Sequence, residues 1–430
     1  MNKSVFIKKI LLKKNTAASL VFAVFIMVII SLICSAIITM FYYHKIINIK
    51  YLQYEQAYTN LNSAIIAMLD HSTITEYNQL QPVNLYDENT NQIFGIKKKW
   101  GSFNVLTAFT LVNKDTITKM ALSGNWYHPQ KQNVLCLSDL NKPLTVCGST
   151  KIKGNVILPS AGAKTGFING IPFSGNKTIE GKIETKNQKI PLIQDDWKEY
   201  LNSLKLNNSS NQKNNSLLFH YKKNDTINNS FSNPSIIYQL PAKTKIDNLN
   251  LSGNIILQST NTIVIGNKSS LNNILIAAKN VVVEKGVVGS FQIIASDTVI
   301  ISQDVVLQYP SSIVISSSNK NAIIFLDKNS TIYGNIILYE EKNSYENSST
   351  LYISENAIIY GLVYCKGAIE HKGKIYGSVT CEKFILRTAS SFYENHLFNS
   401  DIITLDDMPM FVSNNLSINN SNEHFIQWLY

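Results

Sequence analysis

Arginine is almost absent from this chain of 430 residues: Arg387 is the only one, and the other 38 of the 39 basic residues are lysines. Charged residues make up 16% of the sequence, well below the ~25% of an average soluble protein. Arginine is the preferred side chain for recognising phosphates and base edges, and no basic stretch with interleaved aromatic residues occurs. The sequence therefore predicts no nucleic-acid partner, although the formal net charge is +10.

Motifs of catalysis and of metal or cofactor binding are also missing. The five cysteines and seven histidines form no CxxC, Cys/His or HExxH pattern, which excludes the common zinc sites. No P-loop and no GxGxxG occurs. The sequence therefore predicts no catalytic residue, no metal site and no cofactor.

The excess positive charge is concentrated before a long apolar segment. The basic segment 1–16 contains no acid and five lysines, namely Lys3, Lys8, Lys9, Lys13 and Lys14. From Ala17 to Tyr43 the chain carries no charge, and as a helix this segment would be ~40 Å long, enough to cross a ~30 Å hydrocarbon core. The lysine bias predicts a single-pass protein of the cytoplasmic (inner) membrane, with a cytoplasmic N-terminus and an extracytoplasmic chain from His44 onward.

Three other interpretations of segment 17–43 fit less well. The apolar region of a cleavable signal peptide has ~7–15 residues, about half the length of this one. A lipoprotein signal needs a small residue before its cysteine, but Ile33 precedes Cys34. A type IV prepilin has a glutamate early in its apolar run, whereas the first acid here is Glu55. We therefore expect an uncleaved signal anchor in the lipid bilayer.

An amphipathic helix is predicted over residues 44–72, because Leu61, Ala64, Ile65 and Met68 recur at helical spacing. In region 73–150, apolar segments at 103–112 and 116–123 are joined by a short turn, as in a β-hairpin. A long helix followed by an antiparallel hairpin resembles the minor pilins and pseudopilins. The resemblance implies a component of a pilus-like or secretion apparatus, and a juxtamembrane stalk or dimerising coil is the alternative.

The clearest internal repeat lies towards the C-terminus. The signature Tyr-Gly-x-Val occurs twice, at Tyr360, Gly361 and Val363 and at Tyr376, Gly377 and Val379. Short β-branched runs bounded by Asn, Gly or Ser surround it. Such short strands cannot bury a face alone, and no helices long enough for βαβ crossovers separate them. The sequence therefore predicts a parallel β-helix of either hand over residues 235–398, with Asn at corners that need left-handed backbone.

The stretch AIIYGLVYCKGAIEHKGKIYGSVTCEKF, residues 357–384, resembles the coil repeat of bactofilins and related polymer-forming β-helix proteins. The resemblance implies a stacked domain that associates end to end with further copies. This chain departs from that family by its long anchor and by a C-terminal segment, 399–430, expected to be a cap or tail. Caps prevent edge-to-edge growth of a sheet.

Two further segments complete the predicted organisation. Short Gly-punctuated runs in 151–193 indicate the first coils of the same β-helix. Residues 194–234 would then be an Asn-rich insertion or linker, with a short helix at 195–200 and a mobile surface run at 207–233. The predicted fold class is mainly β, with an N-terminal transmembrane helix extended by an amphipathic helix, a small antiparallel β region and then a parallel β-helix.

Four cysteines offer two disulfides. Cys365 and Cys381 share the parity of the repeat valines, so they face the core if the valines do, and coils ~4.8 Å apart would place them within disulfide range. Buried, reduced thiols are the alternative for this pair. Cys136 and Cys147 could close a loop around Pro143.

Two functions from different classes fit these features. The first is a membrane-anchored structural or assembly protein of the bacterial cell envelope, with protein partners or self-association. The second is an envelope-tethered β-helix that binds or cleaves a glycan. Its candidate residues are the acids Asp297, Asp304 and Asp327, the bases Lys383 and Arg387, and the tyrosines Tyr309, Tyr333, Tyr339, Tyr352, Tyr360, Tyr364 and Tyr376. The aspartates follow no repeated spacing, so we expect a structural protein rather than an enzyme.

Overall fold

The computed structural model describes residues 3–70, 76–85, 92–127, 133–205, 216–218, 225–317, 321–340, 349–404, 411–413 and 423–430. At 3–18, 126–127, 216–218 and 411–413 only the backbone is described. The protein is mainly β, with one long N-terminal helix, a small antiparallel sheet and a closed stack of parallel strands. The predicted fold class is confirmed.

One helix, α1 (Lys3–Met68), forms the N-terminal part of the molecule. Its 66 residues contain no Pro or Gly, so nothing interrupts the backbone hydrogen bonds over roughly 100 Å. The part that begins at Ser19 has the length and composition of a membrane-crossing segment or a signal sequence, and its side chains as far as His44 are exposed. The predicted amphipathic helix is therefore a direct continuation of the apolar one.

A small antiparallel sheet packs on the last turns of α1. Its first strands are β1 (Gln81–Pro82), β2 (Ile93–Trp100), β3 (Phe103–Val112) and β4 (Asp115–Tyr127). The predicted hairpin is confirmed as β3–β4, because Val112 pairs with Asp115 across a two-residue turn. The predicted apolar stripe of α1 is fully buried against this sheet, with Leu61 and Ile65 in one cluster with Leu106.

The rest of the chain is built mostly from strands. Between residues 135 and 203 the elements are β5 (Leu135–Leu137), β6 (Leu144–Cys147), β7 (Lys151–Lys153), β8 (Val156–Leu158), β9 (Ala163–Thr165), β10 (Phe167–Ile168), β11 (Ile171–Pro172), β12 (Ile183–Thr185) and α2 (Asp195–Ser203). Between residues 216 and 340 they are β13 (Ser216–Leu218), β14 (Thr226–Asn229), β15 (Ile236–Gln239), β16 (Thr244–Ile246), β17 (Asn250–Gly253), β18 (Ile255–Ile265), β19 (Ser270–Val283), β20 (Val288–Ile301), β21 (Val306–Ser317), β22 (Ile323–Leu326) and β23 (Thr331–Glu340). After residue 349 they are β24 (Thr350–Ile353), β25 (Ile358–His371), β26 (Lys374–Arg387), β27 (Phe392–Glu394), β28 (His396–Phe398), β29 (Asp401–Ile403), β30 (Phe411–Ser413) and β31 (Glu423–Leu429).

Most of these strands form a parallel β-helix whose coils have three faces. Strand β20 runs round all three, and we name them face A (288–290 in β20), face B (292–295) and face C (298–301). Strands of successive coils pair in parallel along each face; on face B, for example, Ile293 pairs with Ile313, which pairs with Ile336. The inward side chains of all coils form one continuous core.

Asparagine occupies the corners, as the composition predicts. Of the 13 described non-glycine residues with positive φ, 11 are Asn. At the corner between faces C and A, Asp304, Asn329 and Asn356 follow one another in successive coils with φ of 59°, 58° and 60°. The side-chain amide of Asn329 donates to Asp304 at 3.2 Å. These residues tolerate left-handed backbone because their short polar side chains can form local hydrogen bonds.

Glycine is required at the corner between faces A and B because successive coils touch there. A Cβ on Gly334 would lie 1.8 Å from the carbonyl oxygen of Ser311, and one on Gly377 would lie 2.0 Å from that of Gly361. Gly377 also has a φ of 149°. The glycine of the Tyr-Gly-x-Val signature therefore meets a steric requirement of the stack.

The order of the coils in space differs from their order in the sequence. Strand β26 pairs with β25 on one side and with β29 and β5 on the other, and β5 is followed by β8 and then β12. The sequence predicts 151–193 as the first coils, whereas the structure places them at the end of the stack beyond β26. The local pattern cannot distinguish the two ends because coils at either end need the same apolar interior.

Segment 194–234, predicted as an insertion or linker, is part of the folded body wherever it is described. Helix α2 buries Trp197 and Leu201, and the predicted helix at 195–200 is thereby confirmed. Strand β13 pairs with β15, and β14 pairs with β17, so this segment begins the stack at the end opposite β12. Residues 207–215 and 219–224 of the predicted mobile run lie outside the described residues.

The C-terminal segment 399–430, predicted as a cap or tail, is shared between the two parts of the molecule. Strand β29 completes the coil that contains β5. Strands β30 and β31 both pair antiparallel with β4. The N-terminal sheet is therefore closed by the C-terminal end of the chain, a long-range pairing that no local pattern signals.

We expect Gly377→Ala to lower the stability of the protein strongly, because the new Cβ would overlap the carbonyl oxygen of Gly361. Overpacking and backbone strain together cost roughly 2–5 kcal/mol. The measurement is the midpoint of urea unfolding of the full chain in detergent micelles, followed by circular dichroism.

The matched control is Gly286→Ala. Gly286 has a φ of 76° but no atom within 4 Å of an added Cβ, so only backbone strain of about 1 kcal/mol is expected. Equal shifts of the two midpoints would contradict the close-contact explanation.

Candidate ligand groove on the β-helix

The three faces of the β-helix differ in what covers them. Face B is apolar on its outer side as well as its inner side, and its outward Ile294 and Val314 are buried in a cluster with Trp100 and Phe103 of the sheet. Helix α2 contributes Trp197 to the same cluster. Face B is therefore closed to ligands over these coils, and a binding site has to lie on face A or face C.

Face A carries a ladder of three stacked tyrosines. Tyr333, Tyr360 and Tyr376 pair in register on successive coils. Their ring centroids are 4.8 and 5.1 Å apart, with interplanar angles of 4° and 24°. Burial by its neighbours raises the pKa of Tyr360. Because both faces of the Tyr360 ring are covered by the neighbouring rings, the ladder stabilises the stack and offers little aromatic surface to a ligand.

Face C carries a groove of about 690 Å³, a volume within the ~300–1,000 Å³ of small-molecule sites. Its floor is a row of side chains from four successive coils, because Ile323, Thr350, Ala368 and Lys383 pair in register. At ~4.8 Å per coil the row is roughly 14 Å long. The floor is part of the rigid stack, so its shape is fixed by backbone pairing.

One wall of the groove is the β26–β27 hairpin. Arg387 pairs with Phe392, and Ile385 pairs with Glu394. The turn of this hairpin is closed locally, because the backbone N–H of Thr388 donates to the carbonyl of Ser391 at 2.9 Å. The hairpin thus presents a guanidinium, a phenyl ring and a carboxylate beside the floor. Leu140 and Lys142, between β5 and β6, complete the lining.

Arg387 is held in the groove by both hydrogen bonds and ring contacts. Its Nη1 donates to the hydroxyl of Tyr352 at 2.8 Å and lies 3.4 Å from Oε2 of Glu370. Its guanidinium carbon is 5.6 Å from the ring centroid of Tyr352 and 5.9 Å from that of Phe392. The other oxygen of Glu370 accepts from Lys372 at 2.9 Å. Arg387 is therefore oriented, because its Nη1 has two acceptors and its guanidinium lies against two aromatic rings.

The lining has an excess of positive charge. It contains three cations, Lys142, Lys383 and Arg387, and one carboxylate, Glu394, which pairs with Lys142. Lys383 is half-buried and forms no ion pair within the described part of the chain. The positive charge of Lys383 acts on the neighbouring Glu382. Burial raises the pKa of the Glu382 carboxyl, and the charge of Lys383 opposes that rise. The groove thus favours an anionic ligand.

The aspartates considered as catalytic acids lie elsewhere and do not converge. Asp304 is at a corner, where hydrogen bonds from Asn329 and Lys285 lower its pKa. Asp327 accepts from the backbone of Lys328, another corner contact. Asp297 lies 3.9 Å from Lys279. Within the described residues, no group of three or more His, Cys, Asp or Glu side chains could hold a metal ion.

Of the candidate bases and tyrosines, the structure brings together Lys383, Arg387 and Tyr352. Glu370 and Phe392 were not singled out from the sequence, because their sheet positions carry no local motif. The presence of a single arginine in the chain was the one available signal for this region. Tyr333 joins the ladder through a variant of the Tyr-Gly-x-Val signature in which Ile336 replaces the valine. Tyr364 donates to the carbonyl of Pro191 instead of facing a groove.

All five cysteines are free thiols in the structure, so neither predicted disulfide is formed in it. Cys365 and Cys381 are fully buried and directly opposite each other across β25 and β26, and burial raises the pKa of both thiols. This pair therefore has the alternative form given above, that of buried and reduced thiols. Cys136 lies beside Thr380 on face B, whereas Cys147 packs against Ile168 in a separate cluster, an arrangement that does not favour their pairing.

No family model, curated protein or solved structure matches this chain. The resemblances to bactofilins and to minor pilins therefore depend on the residues quoted for them. What the structure itself shows is an apolar N-terminal helix and a closed parallel β structure with a cationic groove.

We expect Cys365 and Cys381 to resist alkylation by iodoacetamide in the folded protein and to react fully once urea unfolds it, without any reductant. Burial both blocks access and disfavours the reactive thiolate. The measurement is peptide mass spectrometry before and after unfolding. The half-buried Cys136 serves as the internal control for reagent access. If Cys365 and Cys381 stay unmodified after unfolding until a reductant is added, they form a disulfide and the prediction is wrong.

Proposed function

We propose that this protein is a membrane-anchored, extracytoplasmic scaffold of the bacterial cell envelope. The observation that carries the proposal is an uninterrupted path of packed elements from the apolar helix to the β-helix. Helix α1 packs on one side of the N-terminal sheet, and the other side of that sheet packs on face B. A flexible linker would be enough to tether a domain to a membrane, whereas this packed connection fixes the β-helix relative to the helix.

The contact between α1 and the sheet is a continuous apolar core. Residues Leu61, Ile65 and Met68 of α1 are each 0% exposed and cluster with Leu106 and Ala121 of the sheet. Each fully buried aliphatic side chain of this size stabilises the folded state by about 1.5–3 kcal/mol. The direction of the sheet is therefore coupled to the axis of α1, and through it to the membrane in which α1 is proposed to lie.

The contact between the sheet and the β-helix combines apolar packing with directed hydrogen bonds. The side-chain oxygen of Gln292, on face B, accepts from the backbone N–H of Ser102 at 2.8 Å. Its amide nitrogen donates to the carbonyl of Trp100 at 3.0 Å. Gln292 is 4% exposed, so these bonds lie inside the interface and define one orientation of the sheet on the coils.

A buried ion pair locks the C-terminal strand into the same sheet. The Nζ of Lys97, on β2, lies 2.7 Å from Oε2 of Glu423, on β31, and the two side chains are 3% and 1% exposed. Asn104 donates to the second carboxylate oxygen. Because an unpaired charge would be costly at this depth, the pair specifies where β31 docks.

The resemblances give this scaffold its proposed setting. The helix-and-hairpin layout resembles minor pilins and pseudopilins, which favours a component of a pilus-like or secretion apparatus that contacts protein partners or further copies of itself. The lysines before the apolar helix favour a cytoplasmic N-terminus. The bactofilin-like coil repeat supplies a rigid interaction surface, and β12 is the last strand at one end of the stack.

The test of the proposal is fractionation of native cells, with intact mass and protease accessibility as readouts. We expect the full-length chain in the cytoplasmic membrane, with residues after His44 cleaved only when protease is added from outside. Recovery of the chain from the cytosol would overturn the scaffold. A chain shortened near Ala17 and found in sheared extracellular material would replace the fixed anchor by a released, pilin-like subunit.

We also expect Lys97→Met to destabilise the protein by roughly 3–5 kcal/mol, because it removes the cation that pairs with the buried carboxylate of Glu423. The double variant Lys97→Met with Glu423→Gln should recover most of this loss. The measurement is urea unfolding of the full chain in detergent, followed by tryptophan fluorescence.

The control for this prediction is an exposed ion pair. Lys328 and Glu355 are 3.3 Å apart with side chains 55% and 66% exposed, and Lys328→Met should change stability by less than about 1 kcal/mol. A similar small effect of Lys97→Met, or no recovery in the double variant, would show that the buried pair does not hold β31 in place.

A further inference from the structure

The groove on face C has the construction of a binding site. Its floor is a rigid row of side chains, and its Arg387 is already held by Tyr352 and Glu370 before any ligand arrives. Little ordering is therefore needed on binding, which lowers the entropic cost of association. The residues of this groove take no part in the contacts among α1, the N-terminal sheet and face B on which the proposed scaffold depends.

The shape of the groove favours a linear ligand. The floor follows the axis of the stack from Ile323 to Lys383 across four coils, roughly 14 Å at the usual spacing. A single inorganic ion would occupy only a fraction of this length. A chain of several units lying along the axis would contact one floor residue at each coil and fill the whole length.

The chemistry of the groove distinguishes among linear ligands. An extended peptide binds most readily at the free edge of a sheet, where unpaired backbone groups are available, but this floor is a sheet face whose backbone groups are paired between coils. Single-stranded nucleic acid is usually held by several basic residues along its backbone together with stacking aromatics, and this chain has one arginine. Sugar rings have apolar C–H faces that pack on exposed aromatic side chains, and Phe392 is 60% exposed beside the half-buried Tyr352.

The charges decide between neutral and acidic saccharides. Lys383 has no ion-pair partner among the described residues, and the hydrogen bonds that Arg387 makes here use only Nη1 of its five-donor fork. Lys383 and Arg387 are four residues apart on β26, so each can donate a charge-assisted hydrogen bond to a different carboxylate of a chain that carries several. A neutral glycan would leave the half-buried ammonium of Lys383 without an ion-pair partner among the described residues.

We propose that this groove binds an acidic oligosaccharide rich in uronic acid, with sugar rings against Tyr352 and Phe392 and separate carboxylates of the chain at Lys383 and at Arg387. In the described part of the chain the lining of the groove holds one carboxylate, Glu394, whereas glycoside hydrolysis generally uses a pair, so we assign binding and not hydrolysis to this site. The proposal does not depend on membrane attachment, so its failure would leave the scaffold untouched, and the reverse also holds.

The test is isothermal titration calorimetry of the full chain in detergent micelles with oligogalacturonate as the probe. We expect saturable binding that weakens as salt is raised, because exposed charges are screened. Lys383→Gln should weaken binding roughly tenfold, the value of one charge-assisted hydrogen bond, and Phe392→Ala roughly fivefold. Lys383→Arg should restore most of the affinity.

The matched control is Lys374→Gln, an exposed lysine on face A outside the groove, which should bind as the unaltered protein does. Circular dichroism confirms that each variant is folded. The proposal is overturned if oligogalacturonate does not bind, or if Lys383→Gln and Phe392→Ala bind it unchanged. If polyglutamate binds as tightly as oligogalacturonate, the groove is a general anion site. If the neutral maltohexaose binds as tightly, charge has no role in recognition. Either result contradicts the proposal.

Discussion

The architecture depends on one β-helix face that is apolar on both sides. In an ordinary stack the inward side chains form the core and the outward ones meet water. On face B the alternating residues belong to two cores: Ile293 and Ile313 point inwards, and Ile294 and Val314 point outwards beneath the antiparallel sheet. The outward row would be an exposed apolar strip if the sheet were absent. The sheet, the end of α1 and helix α2 are therefore required partners of the coils.

This arrangement also explains why the chain does not follow the stack in simple order. The sheet must lie over the middle of face B, so the chain leaves β4 near one end of the stack and continues it with β5 to β12. After β12 the chain passes along face B through helix α2. It then enters the opposite end of the stack with β13 and β14. One coil is consequently completed by β29 and β5, which are separated by more than two hundred residues. The C-terminal strand returns to the same sheet, where the Lys97–Glu423 pair holds it.

Each of the three faces of the β-helix has a different role. Face B is used for attachment, and the tyrosine ladder of face A stabilises the stack through ring contacts. Face C is left with a groove whose floor is set by backbone register and whose wall is a short hairpin. The rigid support brings Arg387 and Lys383 into the lining of one groove, although neither lies in a motif. Scaffold and binding surface can therefore coexist in one molecule without sharing residues.

Several features could be predicted from the sequence because local physics determines them. The uncharged run at 17–43 requires a long apolar helix, the spacing of Leu61, Ile65 and Met68 requires a buried stripe, and the Tyr-Gly-x-Val repeat requires coils that touch at glycine. Only the tertiary structure decided which end of the stack receives 151–193, what covers face B, where 423–429 docks, and that Tyr352, Glu370 and Phe392 meet Arg387. These outcomes depend on contacts between residues far apart in the chain. Apolar strands of the same length and pattern are chemically equivalent, so only the packing of the whole chain determines which of them become neighbours.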